Sequence, residues 1–330
     1  MILAGDIGGT KTNLALFETK DNKLELQVQW QFASREFSSL SDVIIAFEKE
    51  TFELNLEAAC FGVAGPVIDG HCRTTNLPWD INTTQLQKHL NIDNVRLMND
   101  LEATAYGMLY LNDDEFIDLN PTGRKVDGNC AVIAAGTGLG EAILYHDGSQ
   151  YHPIGSEGGH CDFAPVTPQQ DELLRWMRNR YPSHVSFERI LSGPGIYMLY
   201  EFLSESGFAP QPQSMMQIKE GVDRSAMVSE CALKERDPLC LETLRLFVEI
   251  YGSEAGNLAL KSLSLGGVYI GGGIAPKILP ILTNHYFMDA FASKGRFEEL
   301  LRGMQVKIAL NPETALLGAA HFAVDKLLVS

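Results

Sequence analysis

Twice along the chain a short apolar run enters a glycine-rich turn and a second apolar run leaves it. Residues 2–4 lead into Gly5-Asp6-Ile7-Gly8-Gly9-Thr10-Lys11-Thr12-Asn13, and residues 14–17 read as the returning strand. Residues 131–135 lead into Gly136-Thr137-Gly138-Leu139-Gly140, and residues 141–145 return. The copies stand about one domain length apart and their turns differ in length, so architecture repeats rather than sequence. Glycine lets a backbone approach an anion closely and present N–H groups to it. A duplicated hairpin of this kind predicts two similar sheets that face one cleft, each with a phosphate-cradling turn.

The segments around these hairpins alternate between strand and helix, which places the chain in the α/β class. Leu40, Val43, Ile44, Phe47, Thr51 and Leu54 fall at helical spacing behind a Ser-rich cap, and residues 59–63 read as a buried strand. Residues 95–98 form another short apolar strand that ends in Asn99-Asp100, and a helix is expected over 101–111. Further helices are predicted over 168–181, 194–206 and 238–263, with a strand at 268–270 and a last helix over 312–328 that returns to the first domain. The Pro/Gln/Ser-rich stretch 207–217 reads as a mobile connection. A chain of 330 residues exceeds what one core usually fills. The expected partition is a small domain, 1–110 plus 312–330, and a large one, 111–311.

Charge narrows the partners. Lys and Arg number 26 against 42 Asp and Glu, a formal charge of −16 that repels nucleic acid and anionic membranes. Phosphates on a substrate must therefore be met locally, by backbone N–H groups, a divalent cation or a few placed cations. The six cysteines include no C-x-x-C pair, which points to thiols in a reducing cytoplasm. The first six residues lack the basic region of a signal peptide, and no apolar run approaches the roughly 18 residues of a membrane span.

The motifs carry chemistry and also have plainer explanations. The Asp6–Thr12 segment joins two strands, so it is not a Walker A loop, but it can turn N–H groups to phosphate while Asp6 holds a Mg²⁺-bound water; a tight hairpin alone would also account for it. In the second turn the third glycine of a dinucleotide fingerprint would fall on Glu141, which rejects that reading. Asn99 and Asp100, between strand and helix, suit capping, and Asp100 suits a base that accepts a proton from a hydroxyl attacking a γ-phosphoryl group. Glu157-Gly158-Gly159-His160-Cys161-Asp162 offers several ligand atoms, but no second Cys or His cluster follows to complete a zinc site. Glu157 and His160 are better read as presented to hydroxyl groups, against a structural histidine as the alternative. Glu188 is a third hydroxyl acceptor or a surface helix acid. Gly271-Gly272-Gly273 suits close approach of a ring or ribose, or a packing turn.

Taken together, Gly5-Asp6-Ile7-Gly8-Gly9-Thr10, Gly65-Pro66, Asn76 followed by Trp79, Asn99-Asp100, the Gly136–Gly140 turn, Gly155-x-Glu157-Gly158-Gly159-His160, the 188–195 segment and Gly271-Gly272-Gly273 resemble bacterial-type glucokinases of the actin-like, hexokinase-related ATPase superfamily. The matches run in order along nearly the whole chain. The resemblance implies a two-domain actin-like (ribonuclease H-like) ATPase fold with an interdomain cleft that closes on sugar. It also implies ATP-dependent phosphorylation of D-glucose at the 6-hydroxyl in the cytoplasm, feeding glycolysis. By position, Asp100 would be the base and Asn99 a partner of neighbouring hydroxyls, with Glu157, His160 and Glu188 on the rest of the sugar. Asp6, Ile7, Gly8, Gly9, Thr10 and Lys11 with Gly136, Thr137 and Gly138 would hold the phosphates of Mg²⁺-ATP, and Gly272 and Gly273 would border adenosine. Cys161 stands without the cysteine-rich zinc motif of the repressor and sugar-kinase relatives, so no protein-bound metal is expected, and with the phosphate hairpin starting at residue 2 the DNA-binding domain of those repressors is not expected either. Lys11 stands where many closer relatives have Asn. A homodimer is implied by the resemblance alone. A kinase for another hexose and a non-catalytic sugar and nucleotide sensor are the competing readings.

Overall fold

The computed structural model describes residues 1–21, 23–51, 55–74, 76–218 and 221–328. Its contacts divide the chain into two compact units, residues 1–115 with 142–155 and 311–330, and residues 116–141 with 156–310.

The first unit is built on a five-stranded sheet. Its strands are β1 (Ile2–Ile7), β2 (Lys11–Lys20), β3 (Lys23–Ala33), β4 (Ala58–Val63) and, after the small ribbon of β5 (His71–Arg73) and β6 (Asp80–Asn82), β7 (Val95–Asn99). The order is β3-β2-β1-β4-β7, with β1, β4 and β7 parallel and β2 antiparallel to both of its neighbours. The continuous apolar runs of β1 and β4 follow from burial on both faces. Leu3, Ile7, Phe61 and Val63 point to one side, onto Leu40, Val43, Ile44 and Phe47 of the Leu40–Glu50 helix. Ile2, Ala4, Ala58 and Cys60 point to the other, where Leu316, Ala319 and Ala320 of the Thr314–Phe322 helix cover them. The small side chains on this second face let that helix lie close to the sheet.

Several expected boundaries move. The first hairpin is tighter than its sequence implied: Asp6 and Ile7 still belong to β1, Lys11 already belongs to β2, and the turn is only Gly8-Gly9-Thr10. The strand β3, absent from the sequence reading, pairs along β2 and is mostly exposed. The helix expected over 101–111 is Asp100–Gly107, after which shorter bonds from Leu109 N–H to Tyr106 O and from Tyr110 N–H to Gly107 O tighten the backbone. The C-terminal helix begins at Thr314 and loosens into a wider turn over Ala323–Leu327. Leu54 lies outside the described residues.

The second unit carries a sheet of β8 (Phe116–Asp118), β9 (Cys130–Ala135), the start of β10 (Leu139–His146), β12 (Gly267–Gly271) and β13 (Val306–Ala309), the remainder of β10 and β11 (Tyr151–Ser156) lying mainly in the first unit. The strands run β10-β9-β12-β13-β8, and β9, β12 and β13 are parallel. The longest helix, Pro238–Ser262, starts on an Asp237 cap with Pro238 in its first turn and ends at Leu263 in the left-handed region. The helices expected over 168–181 and 194–206 are Pro168–Arg180 and Gly193–Glu205. The supposed connection at 207–217 contains the short helix Gln213–Met216. Among the described residues no helix is long and apolar enough to cross a membrane.

Candidate active site

In the first unit, strand register sets the site. β1, β4 and β7 pair so that Ile7, Val63 and Asn99 lie in one row at the carboxyl ends of three adjacent parallel strands. Two strand spacings, about 10 Å, separate the ends of β1 and β7. The glycine turn after Ile7 and Asp100 after Asn99 therefore share one sheet edge, where α/β sheets bind their ligands. Gly8 N–H closes the turn on Lys11 O at 2.9 Å. Ser34 braces it from the far end of β3: its hydroxyl donates to Gly8 O at 2.8 Å and its N–H to Thr10 O at 3.0 Å, and Thr12 Oγ1 lies 2.9 Å from its Oγ. The Ile7 side chain is buried in the core, so Ile7 can offer a ligand only its backbone. Lys11 and Thr10 are exposed. Asp6 sits just inside the turn with a 3.4 Å bond from Asn13 Nδ2, and burial raises its pKa more than that bond lowers it.

Asn99 and Asp100 perform the capping role the sequence allowed, and the structure adds a residue to it. Asn99 Oδ1 accepts from Leu101 N–H at 2.9 Å while Glu102 Oε2 accepts from Asn99 N–H at 2.8 Å, a reciprocal capping box. Asn99 Nδ2 donates to Gly65 O at 3.1 Å, so its amide is engaged at both ends by the fold, and a second N–H on that nitrogen remains for a ligand. Asp100 Oδ1 accepts from Leu101 N–H at 3.0 Å. Glu102 also accepts from Gly155 N–H at 3.1 Å, which ties the end of β11 to the start of this helix. Sequence reasoning passed over Glu102, although Asn-x-x-Glu at a strand-to-helix junction is a readable capping signature.

In the second unit the structure brings together residues far apart in sequence. Glu188 lies in a turn, not in a helix. Its Oε2 accepts from Leu139 N–H at 3.0 Å and packs against Gly138, and its Oε1 is 3.7 Å from His160 Nδ1. Its own N–H donates to Gly159 O at 2.9 Å. The phosphate-type turn, His160 and Glu188 thus form one cluster. His160 ends a single tight helical turn, Gly158–His160, whose glycines lie flat on β10. A Cβ on Gly159 would overlap Leu139 O, and one on Gly158 would overlap the Glu141 carboxyl. Glu157, just before that turn, is exposed.

Beside the Gly136–Gly138 turn opens a cavity of about 750 Å³, a size that takes a nucleoside-sized ligand. Gly136, Thr137 and Gly273 line it, together with Gly193 and Pro194 at the N-terminus of the Gly193–Glu205 helix. Gly193 N–H donates to Gly136 O at 2.8 Å, and Ser225 Oγ to Gly193 O. Gly272 does not line this cavity. It adopts φ +83 with its Cα against Ala135 O, so its glycine is required by packing and a left-handed backbone. Gly273, with nothing near a Cβ position, faces the open side. The walls also contain Asp223, Ser229, Lys234 and Lys277, none of which belongs to a recognisable motif. Among the described residues no cluster of three or more His, Cys, Asp or Glu side chains is placed to hold a metal ion.

The chain matches the glucokinase family model over residues 3–326. It is 40% identical over 333 aligned residues to a glucokinase of Nostoc punctiforme, covering 97% of this chain and 98% of that one. A glucokinase of Tolumonas auensis is 33% identical, with 99% and 98% covered. A solved glucokinase from an Antarctic psychrotroph superposes with a TM-score of 0.85 at 31% identity, covering 98% and 99% of the two chains. A glucokinase of the ROK family from Streptomyces griseus, solved with glucose and AMPPNP, shares the fold at a TM-score of 0.62 and 18% identity, covering 98% and 99%. The architecture is the two-domain actin-like ATPase fold of these enzymes. With a family model spanning nearly the whole chain and relatives this similar end to end, the chain belongs to the glucokinase family.

Proposed function

We propose that the protein transfers the γ-phosphoryl group of ATP to the 6-hydroxyl of D-glucose. The observation that carries the reading is the register of β1, β4 and β7, which puts the glycine turn and Asp100 on one sheet edge. There a base and a phosphate-binding backbone are fixed by the same strands. Asp100 accepts the proton of the 6-hydroxyl as that oxygen bonds to the γ-phosphorus. The bond from phosphorus to the bridging oxygen breaks, and ADP leaves with its electron pair. A transition state of this loose kind asks more for positioning than for base strength, and the capping box supplies the positioning.

Asn99, Glu157, His160 and Glu188 take sugar hydroxyls in this reading. The 8–10 and 136–138 turns, with Asp6 and Lys11, take the phosphates. The cavity bounded by Gly136, Gly193 and Gly273 takes the nucleoside, its helix N-terminus favouring negative charge nearby. Gly272 serves that cavity only by letting the backbone turn. Asp6 suits Mg²⁺: it is a hard oxygen donor whose burial is relieved when a cation shares the pocket. Mg²⁺ bound there with the nucleotide would neutralise phosphate charge. The partition into residues 1–110 with 312–330 and residues 111–311, a cytoplasmic location and a homodimer belong to the same proposal.

The test is the Asp100→Asn variant. Its kcat should fall by about 10²–10⁴, as expected when a positioned base is lost, with glucose affinity largely kept. Turnover near that of the wild type would remove Asp100 from the mechanism. Glucose binding without turnover of any hexose by the wild type would favour a sensor.

A further inference from the structure

Behind the loop that carries Glu157 and His160 lies a buried acid that the mechanism leaves unused. Glu141, near the start of β10, is 1% exposed, and its Oε1 has no hydrogen-bond partner among the described residues. Two contacts join it to the loop, and a bond within the loop links them. Its carbonyl accepts from Ser156 Oγ at 3.0 Å, Ser156 Oγ accepts from Gly158 N–H at 3.2 Å, and its Oε2 rests against Gly158. From the Pro238–Ser262 helix Glu254, 0% exposed, acts on it electrostatically, as does Lys261, and Tyr251 of that helix feels its charge.

The two acids are not equivalent. Burial raises Glu254 as well, but there it is partly offset by a 2.8 Å bond from Asn257 Nδ2, by Lys261 Nζ at 3.5 Å and by Lys294, which is anchored on Ser253 Oγ at 3.1 Å. For Glu141, Lys261 is a weak influence and no contacting cation is found among the described residues. Neighbouring buried carboxyls do not both ionise readily. The charge therefore settles on Glu254 and the proton on Glu141. Burial, followed by repulsion from Glu254, pushes Glu141 up to about 8.

We propose that Glu141 is a positioning residue for the sugar-binding loop: its neutral carboxyl, packed against Gly158 within electrostatic reach of Glu254, holds the 157–160 segment in place, and ionisation in alkali releases it. This rests on the reading that Glu157 and His160 bind glucose. A second negative charge in that dry space must recruit water. Of the surrounding walls, a 25-residue helix and a paired strand resist displacement, whereas the three-residue turn Gly158–His160, exposed at His160, does not.

Glu141→Gln keeps the shape and cannot ionise. Between pH 7 and 9.5 the wild-type KM for glucose should rise roughly tenfold, while its KM for ATP and the glucose KM of Glu141→Gln stay within about twofold. Glu254→Gln, by removing the repelling charge, should move the wild-type inflection to lower pH. An equal alkaline rise in Glu141→Gln, or an inflection that Glu254→Gln leaves in place, would overturn the inference and leave the kinase reading standing. Absence of glucose phosphorylation at every pH would instead overturn that reading. The loop is then judged by hydrogen exchange of the sugar-free protein. Protection at amides 158–160 that collapses past pH 8 in the wild type and persists in Glu141→Gln supports the inference, and identical loss in both defeats it.

Discussion

The glycine turn at Gly8–Thr10 and the one at 136–138 differ in what braces them. The first is held by its own sheet: Ser34, at the end of the next strand but one, bonds to both sides of the turn. The second is held by segments outside its hairpin, through Gly193 on Gly136 and Glu188 on Leu139. Glu188 also faces His160, so in the second unit one carboxylate touches both the phosphate-type turn and the loop that carries His160. Damage at the first turn should therefore fall on the nucleotide alone, and damage at the second on both substrates.

Mutations can break that contrast. The largest effect is expected from Gly159→Ala, whose methyl group would overlap Leu139 O. It should cost about 1–3 kcal/mol of stability and raise the KM for glucose and for ATP together, read by denaturant unfolding and steady-state kinetics. Glu188→Gln keeps the bond to Leu139 N–H in neutral form but loses its charge. A drop of roughly tenfold in glucose affinity, about 1.4 kcal/mol, should appear by calorimetry, with a smaller change for ATP. Ser34→Ala leaves Gly8 O and the Thr12 hydroxyl without their partner. About 1 kcal/mol should be lost, expressed in the KM for ATP while glucose affinity is unchanged. A loss of glucose affinity in that variant would contradict the separation between the two turns.

The smallest effect sharpens the sugar side. The Glu141 carboxyl holds its proton more tightly folded than unfolded, so the unfolded chain binds fewer protons through the range from about 4.5 to about 8 and native stability falls as pH rises across it. Glu141→Gln lacks this loss. Its melting temperature should match the wild type near pH 5 and exceed it by a few degrees at pH 9.

What the sequence disclosed follows the same contrast. The alternating strands and helices, both glycine turns and the Asn99 cap were legible because each depends on residues a few positions apart. The length of the first turn was misjudged because glycines at positions 5 and 8 read alike, although Gly5 packs within β1 against Phe61. The strand β3 was equally legible, since residues 23–32 alternate polar and apolar side chains at the period of a strand, but no motif drew attention to that segment. Ser34, Glu141 and the cavity wall from Asp223 to Lys234 were illegible for another reason. Their roles are set by contacts between residues far apart in sequence, such as the 26 positions between Ser34 and Gly8 or the 15 between Glu141 and Ser156. For Gly272 the sequence allows both a ligand-facing turn and a packing turn, and the fold shows the packing against Ala135 that demands glycine there.

The most direct measurement is the identity of the product. The protein, incubated with Mg²⁺, ATP and D-glucose, should consume ATP and glucose in equal amounts, and phosphorus–proton correlation in the NMR spectrum should place the phosphate on carbon 6. A phosphate at any other carbon, or ATP hydrolysis that leaves the sugar unchanged, would contradict the assignment of Asp100 to the 6-hydroxyl.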